Sequence, residues 1–229
     1  MKRFFLNLVE KIHILQNIYL KNKYFISRKS YSMDKEDLNI INYFKDKKNG
    51  FYIDVGCFHP LDRNNTYLLY KKNWRGINID VSKFSIDLFN FLRPDDINVN
   101  VGISDKNSKI KVYYQKELSQ LTTTVKDHAD KFFQGNIKEK IIESKTLNSL
   151  LDDTKYKNKK IDFLNIDVEG ADLDVLNSLN FEIYRPELIC IEIIEKNIEN
   201  SLIYKLLKKN NYIKTWSGAV SHLFKDNLV

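Results

Sequence analysis

Two carboxylates, separated by a single residue, follow one short apolar stretch of the sequence. In IDFLNIDVEG, residues 161–170, Asp167 and Glu169 come directly after a run that is typical of a buried strand. Either carboxylate could take a proton from a hydroxyl nucleophile, and both together could hold a divalent cation such as Mg²⁺. Alternatively, Asp167 could cap the helix predicted in ADLDVLNSL, and Glu169 could complement the positive end of that helix.

Two further predicted strands also end in an acid. FYIDVG, residues 51–56, contains Asp54 and then Gly56, and GINID ends in Asp80. An acid at the end of the second strand is placed to accept hydrogen bonds from the two hydroxyls of a ribose. The first loop lacks the three glycines that a dinucleotide pyrophosphate requires, so the pattern favours S-adenosylmethionine over NAD. An NAD-binding enzyme of the Rossmann type remains the enzymatic alternative.

Histidines provide further candidates for the base. His59 lies in the long loop after FYIDV, over the predicted nucleoside, and could accept a proton there. The alternative is a surface or structural histidine. His128 and His222 are further candidates in the predicted insert and hairpin.

The elements that must position these residues alternate between strand and helix patterns. Such alternation predicts an α/β fold with a mostly parallel sheet and helices on both faces. IKVYY adds an extra strand, NYIKTW and VSHLFKD form a closing hairpin, and residues 115–145 have no clear pattern. The strands predicted for the main sheet are FYIDV, GINID, INVNVGIS (97–104), IDFLNID and ELICIEII.

Composition bounds the class of protein. With 229 residues, 43% apolar residues and 29% charged residues, we expect one α/β domain over 31–229, preceded by a helical extension over 1–30. The net charge of +7 could favour anionic partners, but 30 interspersed acidic residues favour a solvated surface without nucleic acid binding. The two cysteines have no metal-ligand spacing, and neither a signal peptide nor a membrane span is evident, so we expect a cytoplasmic protein.

Residues 4–20 carry apolar side chains at helical spacing, with lysines and an arginine on the opposite face. Such a helix could pack on the domain or on a second copy of the chain, so an oligomer stays open. It could also lie in the interface of a membrane, as a peripheral contact. The non-enzymatic alternative is a module that uses this helix and the positive charge to bind a membrane or nucleic acid.

Several of these motifs together carry a family resemblance. FYIDVG with the following HP and NNT, WRGINID, VNVGISDKNSKIKVYY and above all IDFLNIDVEGADLDVLNSLNFEIYRPELICIE resemble the FkbM family of methyltransferases, a branch of the class I S-adenosylmethionine-dependent enzymes. The resemblance spans about residues 30–225. It departs from the family pattern at Met33, Lys35 and Asp172, outside the predicted cofactor strands.

The resemblance implies a Rossmann-like, mostly parallel sheet of seven strands and methyl transfer to oxygen. The acceptor would be a glycan, a polysaccharide or a glycolipid. Asp54 and Gly56 would line the methionine side of S-adenosylmethionine, and Asp80 its ribose. By position, Gly102, Ile103 and Ser104 would lie near the adenine.

Overall fold

A computed structural model describes residues 7–228, and its centre is a sheet of seven strands. The strands are β1 (Phe51–Val55), β2 (Arg75–Asp80), β3 (Ile97–Asn100), β7 (Phe163–Ile166), β8 (Leu188–Glu192), β9 (Tyr212–Ser217) and β10 (Ser221–Asp226). Their order across the sheet is β3-β2-β1-β7-β8-β10-β9, and β10 runs in the direction opposite to the other six strands. The predicted sheet and its closing hairpin are confirmed.

Helices cover both faces of this sheet because its central strands are apolar on both sides. Every residue of β1 is buried, as is every residue of β7. One face packs on α6, α7 and α8, and the other on α2 and α3. The α-helices are α1 (Leu8–Leu15), α2 (Glu36–Tyr43), α3 (Tyr67–Lys71), α4 (Lys83–Leu92), α5 (Lys126–Phe132), α6 (Leu147–Asp152), α7 (Asp172–Asn177) and α8 (Leu202–Lys209).

The chain changes direction in the sheet beside β1. From β1 it moves outward to β2 and β3, and it then crosses back to place β7 on the other side of β1. In open α/β sheets, ligands bind outside the carboxyl ends of the strands at such a switch point. The predicted strand-end residues Asp54, Gly56, Asp80 and Asp167 therefore share one edge.

A second, smaller sheet stands beside the main one and corrects the sequence prediction in two places. The strand predicted over 97–104 is split, because β3 ends at Asn100 and β4 (Gly102–Ile103) joins the small sheet. Its central strand, β6 (Lys138–Lys145), was not predicted, and it pairs with β5 (Ser108–Tyr114) in antiparallel fashion. Half of the residues of β6 are exposed and only Ser144 is buried, so the strand lacks the apolar alternation by which buried strands are recognised.

The N-terminal segment is helical, as predicted from residue 8 onward, and residues 4–6 of the prediction lie outside the described range. A π-helix (Gln16–Lys21) continues α1 without a break. Ile14 and Ile18 anchor the segment by packing with Leu61, Tyr67 and Leu88 of the domain. Between residues 7 and 228, no helix is both long enough and apolar enough to cross a membrane.

Candidate active site

A cleft opens at the carboxyl edge of the main sheet, where β1, β2 and β7 end. It contains about 530 Å³ of empty space, which includes the open solvent at its mouth. Its apolar wall includes Val55, Ile79, Val101, Ile103 and Ala171. Asp80 and Asp167 also line the cleft, and they follow strands on opposite sides of β1. The cleft therefore combines an apolar slot with carboxylates on two sides.

Asp80 stands at the β2 side of the cleft, where the sequence predicted it. Its side chain is half-buried, and its two oxygens accept the backbone N–H groups of Phe58 (2.8 Å) and Ser82 (2.7 Å). Burial raises the pKa of Asp80, and these two hydrogen bonds oppose that rise. The carboxylate is thereby held in a fixed orientation, with lone pairs left for a ligand in the cleft.

Gly56 lets the β1 loop pass directly over the end of β7. Its φ is +78°, and a Cβ atom at this position would lie 1.7 Å from the carbonyl oxygen of Asp167. Only glycine satisfies both conditions at low cost. Gly56 thus allows the loop after β1 to pack directly against Asp167, which follows β7.

We expect Gly56→Ala to destabilise the fold by about 2–4 kcal/mol, since it adds a backbone clash to a strained φ. Urea unfolding measures this change. Gly135→Ala is the matched control, because Gly135 has φ +90° with nothing within 4 Å of its Cβ position. Equal losses in the two variants would mean that the contact with Asp167 yields easily.

Asp54 is buried rather than open to the cleft, and it organises polar neighbours. Its oxygens accept hydrogen bonds from Thr66 Oγ1 (2.8 Å), Asn165 Nδ2 (2.9 Å) and, at 3.4 Å, Asn64 Nδ2. Burial raises the pKa of Asp54, although these bonds and the charge of Arg93 lower it in part. The carboxylate therefore orients the side-chain amides at this edge of the sheet.

Those amides line a second, polar recess that adjoins the cleft. The recess has about 380 Å³ of empty space and shares Gly56, Phe58, Gln120 and Asp167 with the cleft. Amide, guanidinium and carboxylate groups dominate its lining. The residues found only in the recess include Asp54, Arg63, Asn64, Asn65, Asn165 and Glu169.

Asp167 lies where cleft and recess meet. Its side chain faces open space, while protein encloses it on the other sides. This enclosure raises the pKa of Asp167 well above its usual value, and the charges of Glu192 and Asp172 add to the rise. Negative charge at this junction is therefore costly without a positively charged ligand.

Glu169 faces the recess in an unusual backbone conformation. Its φ is +57°, a left-handed value that costs a non-glycine residue about 1 kcal/mol or more. The turn is held because Thr123 Oγ1 donates to the Glu169 carbonyl (2.7 Å) and Asp172 accepts the N–H groups of Val168 and Gly170. Burial, followed by the charges of Asp167 and Asp172, raises the pKa of Glu169 to about 8.

His128 lies behind Glu169, on α5. Its Nε2 is 3.1 Å from Glu169 Oε2, and the imidazole is nearly buried. Burial and the charge of Lys131 lower the pKa of His128, so the imidazole is neutral in this pair. A protonated Glu169 can donate to the neutral nitrogen, which leaves the pair with one proton to exchange.

Glu192 is an acid beside the site that sequence reasoning missed, and its charge acts on Asp167. It ends β8, next to β7, and burial together with the charges of Asp172 and Glu169 raises its pKa to about 8. The signal was present in the sequence, because ELICIE is a fourth apolar run that ends in an acid. Acids at and after the ends of neighbouring strands thus form an acidic group around Asp167.

The segment 119–124 forms part of the cleft wall and was also missed. Ser119, Gln120, Thr122 and Thr124 line the cleft, and the Oγ1 atom of Thr122 is buried without a hydrogen-bond partner. Two backbone hydrogen bonds between Thr123 and Tyr113 hold the segment on the small sheet. No local pattern signals this role, since the segment is positioned by contacts with distant strands.

The three residues expected near the adenine do not act alike. Ile103 lines the cleft. Gly102 instead packs against the small sheet, because a Cβ atom there would lie 2.4 Å from Ile110 Cδ1. The Ser104 hydroxyl donates to Asp105 at an exposed position. Of the three, the structure brings only Ile103 to the cleft.

Among the described residues that line the cleft and the recess, His59 does not appear. It is almost fully buried, its Nδ1 accepts the N–H groups of Leu61 and Asp62, and its Nε2 lies 3.1 Å from the amide of Asn22. Burial and the charge of Arg93 lower its pKa to about 3. This neutral imidazole ties the first loop to the N-terminal segment.

The residues present fit S-adenosylmethionine but do not assemble a metal site. The apolar slot suits an adenine ring, Asp80 suits a ribose, and the unpartnered Thr122 hydroxyl offers a further polar contact in the cleft. In the described part of the chain, no group of three or more histidine, cysteine, aspartate or glutamate residues is arranged to hold a metal ion. The Mg²⁺ that the sequence left open is therefore unsupported.

The sheet order, the antiparallel β10 and the cleft beside β1 define a class, the Rossmann-like methyltransferases. A family model described as the methyltransferase FkbM domain matches residues 54–214. The chain therefore belongs to the FkbM methyltransferase family, and the resemblance noted in its sequence is confirmed. This match sets aside the NAD-binding alternative. A search of curated proteins found no match.

Several solved methyltransferase structures resemble the chain in overall fold. A putative RNA methyltransferase from Pyrococcus horikoshii is 11% identical with a TM-score of 0.42, covering 83% of this chain and 82% of that one. An O-methyltransferase from Bacillus cereus in complex with SAH is 11% identical with a TM-score of 0.43, covering 96% and 91%. Human methyltransferase 10 domain containing protein is 12% identical with a TM-score of 0.40, covering 99% and 98%. We take no residue role from them.

Proposed function

We propose that the protein is an S-adenosylmethionine-dependent O-methyltransferase that modifies a sugar hydroxyl of a glycan, polysaccharide or glycolipid. The observation that carries the proposal is the continuity of two cavities at the switch point. An apolar slot with Asp80 on one side opens into a polar recess, and Asp167 stands at their junction. A nucleoside cofactor and a hydroxylated acceptor can therefore meet at one carboxylate.

The cofactor is held by the cleft in this proposal. Ile79, Val101 and Ile103 contact the adenine, and Asp80 accepts hydrogen bonds from the ribose hydroxyls. Gly56 allows the backbone of the first loop to come close to the amino-acid end. Bound there, S-adenosylmethionine supplies an electrophilic methyl carbon on a positively charged sulfur. Asp167 balances that charge with its carboxylate, which lowers the pKa of Asp167 in the complex.

Glu169 accepts the proton of the attacking hydroxyl in this mechanism. A free-enzyme pKa of about 8 makes the carboxylate basic enough to take a proton while remaining partly ionised near neutral pH. His128 holds Oε2 through its Nε2 atom and leaves Oε1 available for the acceptor. His128 is therefore a positioning residue, which also offers the proton a route away from the recess.

The acceptor class follows from the lining of the recess. Asn64, Asn65 and Asn165 offer side-chain amides, and Arg63 offers a guanidinium, all of which hydrogen-bond to sugar hydroxyl groups. Asn165 is fixed by Asp54, and Asn65 donates to Asn165 Oδ1 at 2.9 Å. Such an ordered amide row is suited to a polyhydroxylated ligand.

The two buried, unpaired cysteines support a reducing compartment such as the cytoplasm for this reaction.

Calorimetric titration with S-adenosylhomocysteine tests the cofactor site. We expect micromolar binding that EDTA leaves unchanged, and we expect Asp80→Asn to weaken it about 10- to 100-fold, because the carboxylate loses charged hydrogen bonds to the ribose. Asp105→Asn is the matched control, since Asp105 is exposed outside the cleft. Undiminished binding by a well-folded Asp80→Asn variant would contradict the assignment.

Transfer of a radiolabelled methyl group tests the acceptor. We expect label to enter the carbohydrate fraction of an extract and to resist mild base, because a methyl ether on a sugar is stable where a methyl ester is hydrolysed. Label found only in protein or RNA would overturn the proposed acceptor while leaving the methyltransferase itself intact.

A further inference from the structure

The N-terminal segment presents a second apolar surface, which faces away from the domain. We call this surface the outer face. Leu8, Ile12 and Leu15 recur at the spacing of one helical face, opposite the buried Ile14. Leu20 and Phe25 extend the surface and are 74% and 80% exposed. The outer face consists of Leu8, Val9, Ile12, Leu15, Leu20, Phe25 and Ile26.

A surface of this kind is uncommon on a soluble monomer. The segment does not need it for docking, because Ile14 and Ile18 on the inner side already pack into the domain. Phe25 is also preorganised, since its ring stacks on Tyr19 at a centroid distance of 5.1 Å. An ordered segment with one buried and one exposed apolar side indicates a partner on the exposed side.

The charges around the outer face favour an anionic lipid surface as that partner. Residues 7–30 contain five basic side chains and one acidic one. Lys11, Lys21, Lys23 and Lys29 are exposed, and a basic rim around apolar and aromatic side chains is the arrangement of helices that lie in a membrane interface. A second copy of the chain would instead bring these lysines close to each other, which is unfavourable without counter-charges.

The N-terminal segment, which carries the outer face, lies close to the proposed active site. His13, Asn17 and Lys21 of the N-terminal segment share a surface cavity with Lys116 and Glu117. The chain continues from Glu117 into the cleft wall at Ser119 and Gln120. In addition, Asn22 contacts His59 in the first loop. The segment that carries the outer face therefore adjoins the stretch that leads into the cleft wall, and it contacts the first loop.

We propose that the outer face docks the protein on the surface of an anionic phospholipid membrane. The apolar side chains enter the boundary between headgroups and acyl chains, and the surrounding lysines contact lipid phosphates. One consequence of this docking rests on the proposed function. If that function holds, the methylated sugar belongs to a lipid-linked saccharide that the membrane presents to the recess.

Sedimentation with sucrose-loaded vesicles tests the docking. We expect the full chain to bind vesicles of phosphatidylcholine mixed with phosphatidylglycerol, and to bind pure phosphatidylcholine much more weakly. The double variant Leu20→Ser, Phe25→Ser should lose at least about tenfold in partitioning. Ile141→Ser, Ile183→Ser is the control, because it removes two exposed apolar side chains elsewhere and should bind as the wild type does.

A second pair of variants tests the charges. Lys21→Gln, Lys23→Gln should reduce the preference for anionic vesicles, whereas Lys157→Gln, Lys208→Gln changes the net charge equally at distant exposed positions and should not. Failure of the wild type to bind, or equal losses in test and control variants, would overturn the proposal. So would a dimer in sedimentation equilibrium that Leu20→Ser, Phe25→Ser dissociates. None of these measurements uses the cofactor. Failure of membrane docking can therefore be distinguished from failure of S-adenosylhomocysteine binding.

Discussion

Glu169→Gln is expected to lower kcat by about 10²- to 10⁴-fold, the usual contribution of a positioned proton acceptor. Glutamine keeps the shape of the side chain and can still hydrogen-bond to His128, but it cannot take a proton. The affinity for S-adenosylhomocysteine should stay unchanged, because Glu169 lines the recess and is absent from the described lining of the cleft. The rate of methyl transfer to the acceptor found by radiolabelling measures kcat, and calorimetric titration measures the affinity for S-adenosylhomocysteine.

The pH dependence of the wild type gives an independent readout. Burial and neighbouring carboxylates raise the pKa of Glu169 to about 8, so the acid is largely protonated at pH 6 and becomes a base as the pH rises. The kcat/KM should therefore increase from pH 6 to pH 9 with an inflection near 8, and Glu169→Gln should remove this limb. Removal of His128 should move the inflection, which a purely structural role would not do.

An exposed carboxylate provides the control for this experiment. Glu182→Gln changes the same functional group at an exposed position outside both cavities and should leave kcat and its pH dependence unaltered. If Glu169→Gln keeps wild-type kcat with the same pH limb, another group takes the proton. In that case Asp167→Asn is the decisive variant, because Asp167 is the carboxylate that the recess shares with the cleft.

Arg93→Met is expected to destabilise the protein by about 3–5 kcal/mol, as removal of one member of a buried charged network typically does. Arg93 is fully buried, and its guanidinium donates to Asn64 Oδ1 (2.7 Å), the Pro60 carbonyl (2.7 Å) and Thr66 Oγ1 (2.8 Å). Methionine fills much of the same space but removes all three of these buried hydrogen bonds. The substitution also removes the positive charge of Arg93, which lowers the pKa of Asp54.

The same substitution should weaken acceptor binding in whatever protein remains folded, because Asn64 lines the recess. Urea unfolding and calorimetry measure the two effects. Arg75→Met is the matched control: Arg75 is half-exposed, its partner Asp95 is exposed, and such surface ion pairs contribute about 0–1 kcal/mol. A loss for Arg93→Met no larger than for Arg75→Met would show that the first loop does not depend on this guanidinium.

The sequence alone predicted the sheet and the identity of its acidic edge. Apolar runs that end in Asp54, Asp80 and Asp167 are local patterns, and parallel strands always place their carboxyl ends at one edge. The position of Gly56 in the first loop and the DVEG motif are equally local. For that reason the family, the fold and these candidate residues follow from local patterns in the sequence.

The tertiary structure decided what surrounds those residues. Thr122 and Gln120 reach the cleft only because the segment 119–124 is held by the small sheet, whose central strand β6 is too exposed to show an apolar period. Likewise, no pattern in the sequence marks Arg93 as a buried residue, and the sequence predicted His59 as a candidate base over the cofactor. Both are buried by contacts between residues far apart in the sequence.

The chemistry of the acids is likewise a tertiary property. The pKa values of Glu169 and Glu192 rise to about 8 because loops and neighbouring strands exclude water and bring several carboxylates together. Desolvation and charge proximity depend on distances in space, which no spacing along the chain specifies. The sequence by itself therefore determined which acids end the strands at this edge, and the fold decided how burial and neighbouring charges raise their pKa values.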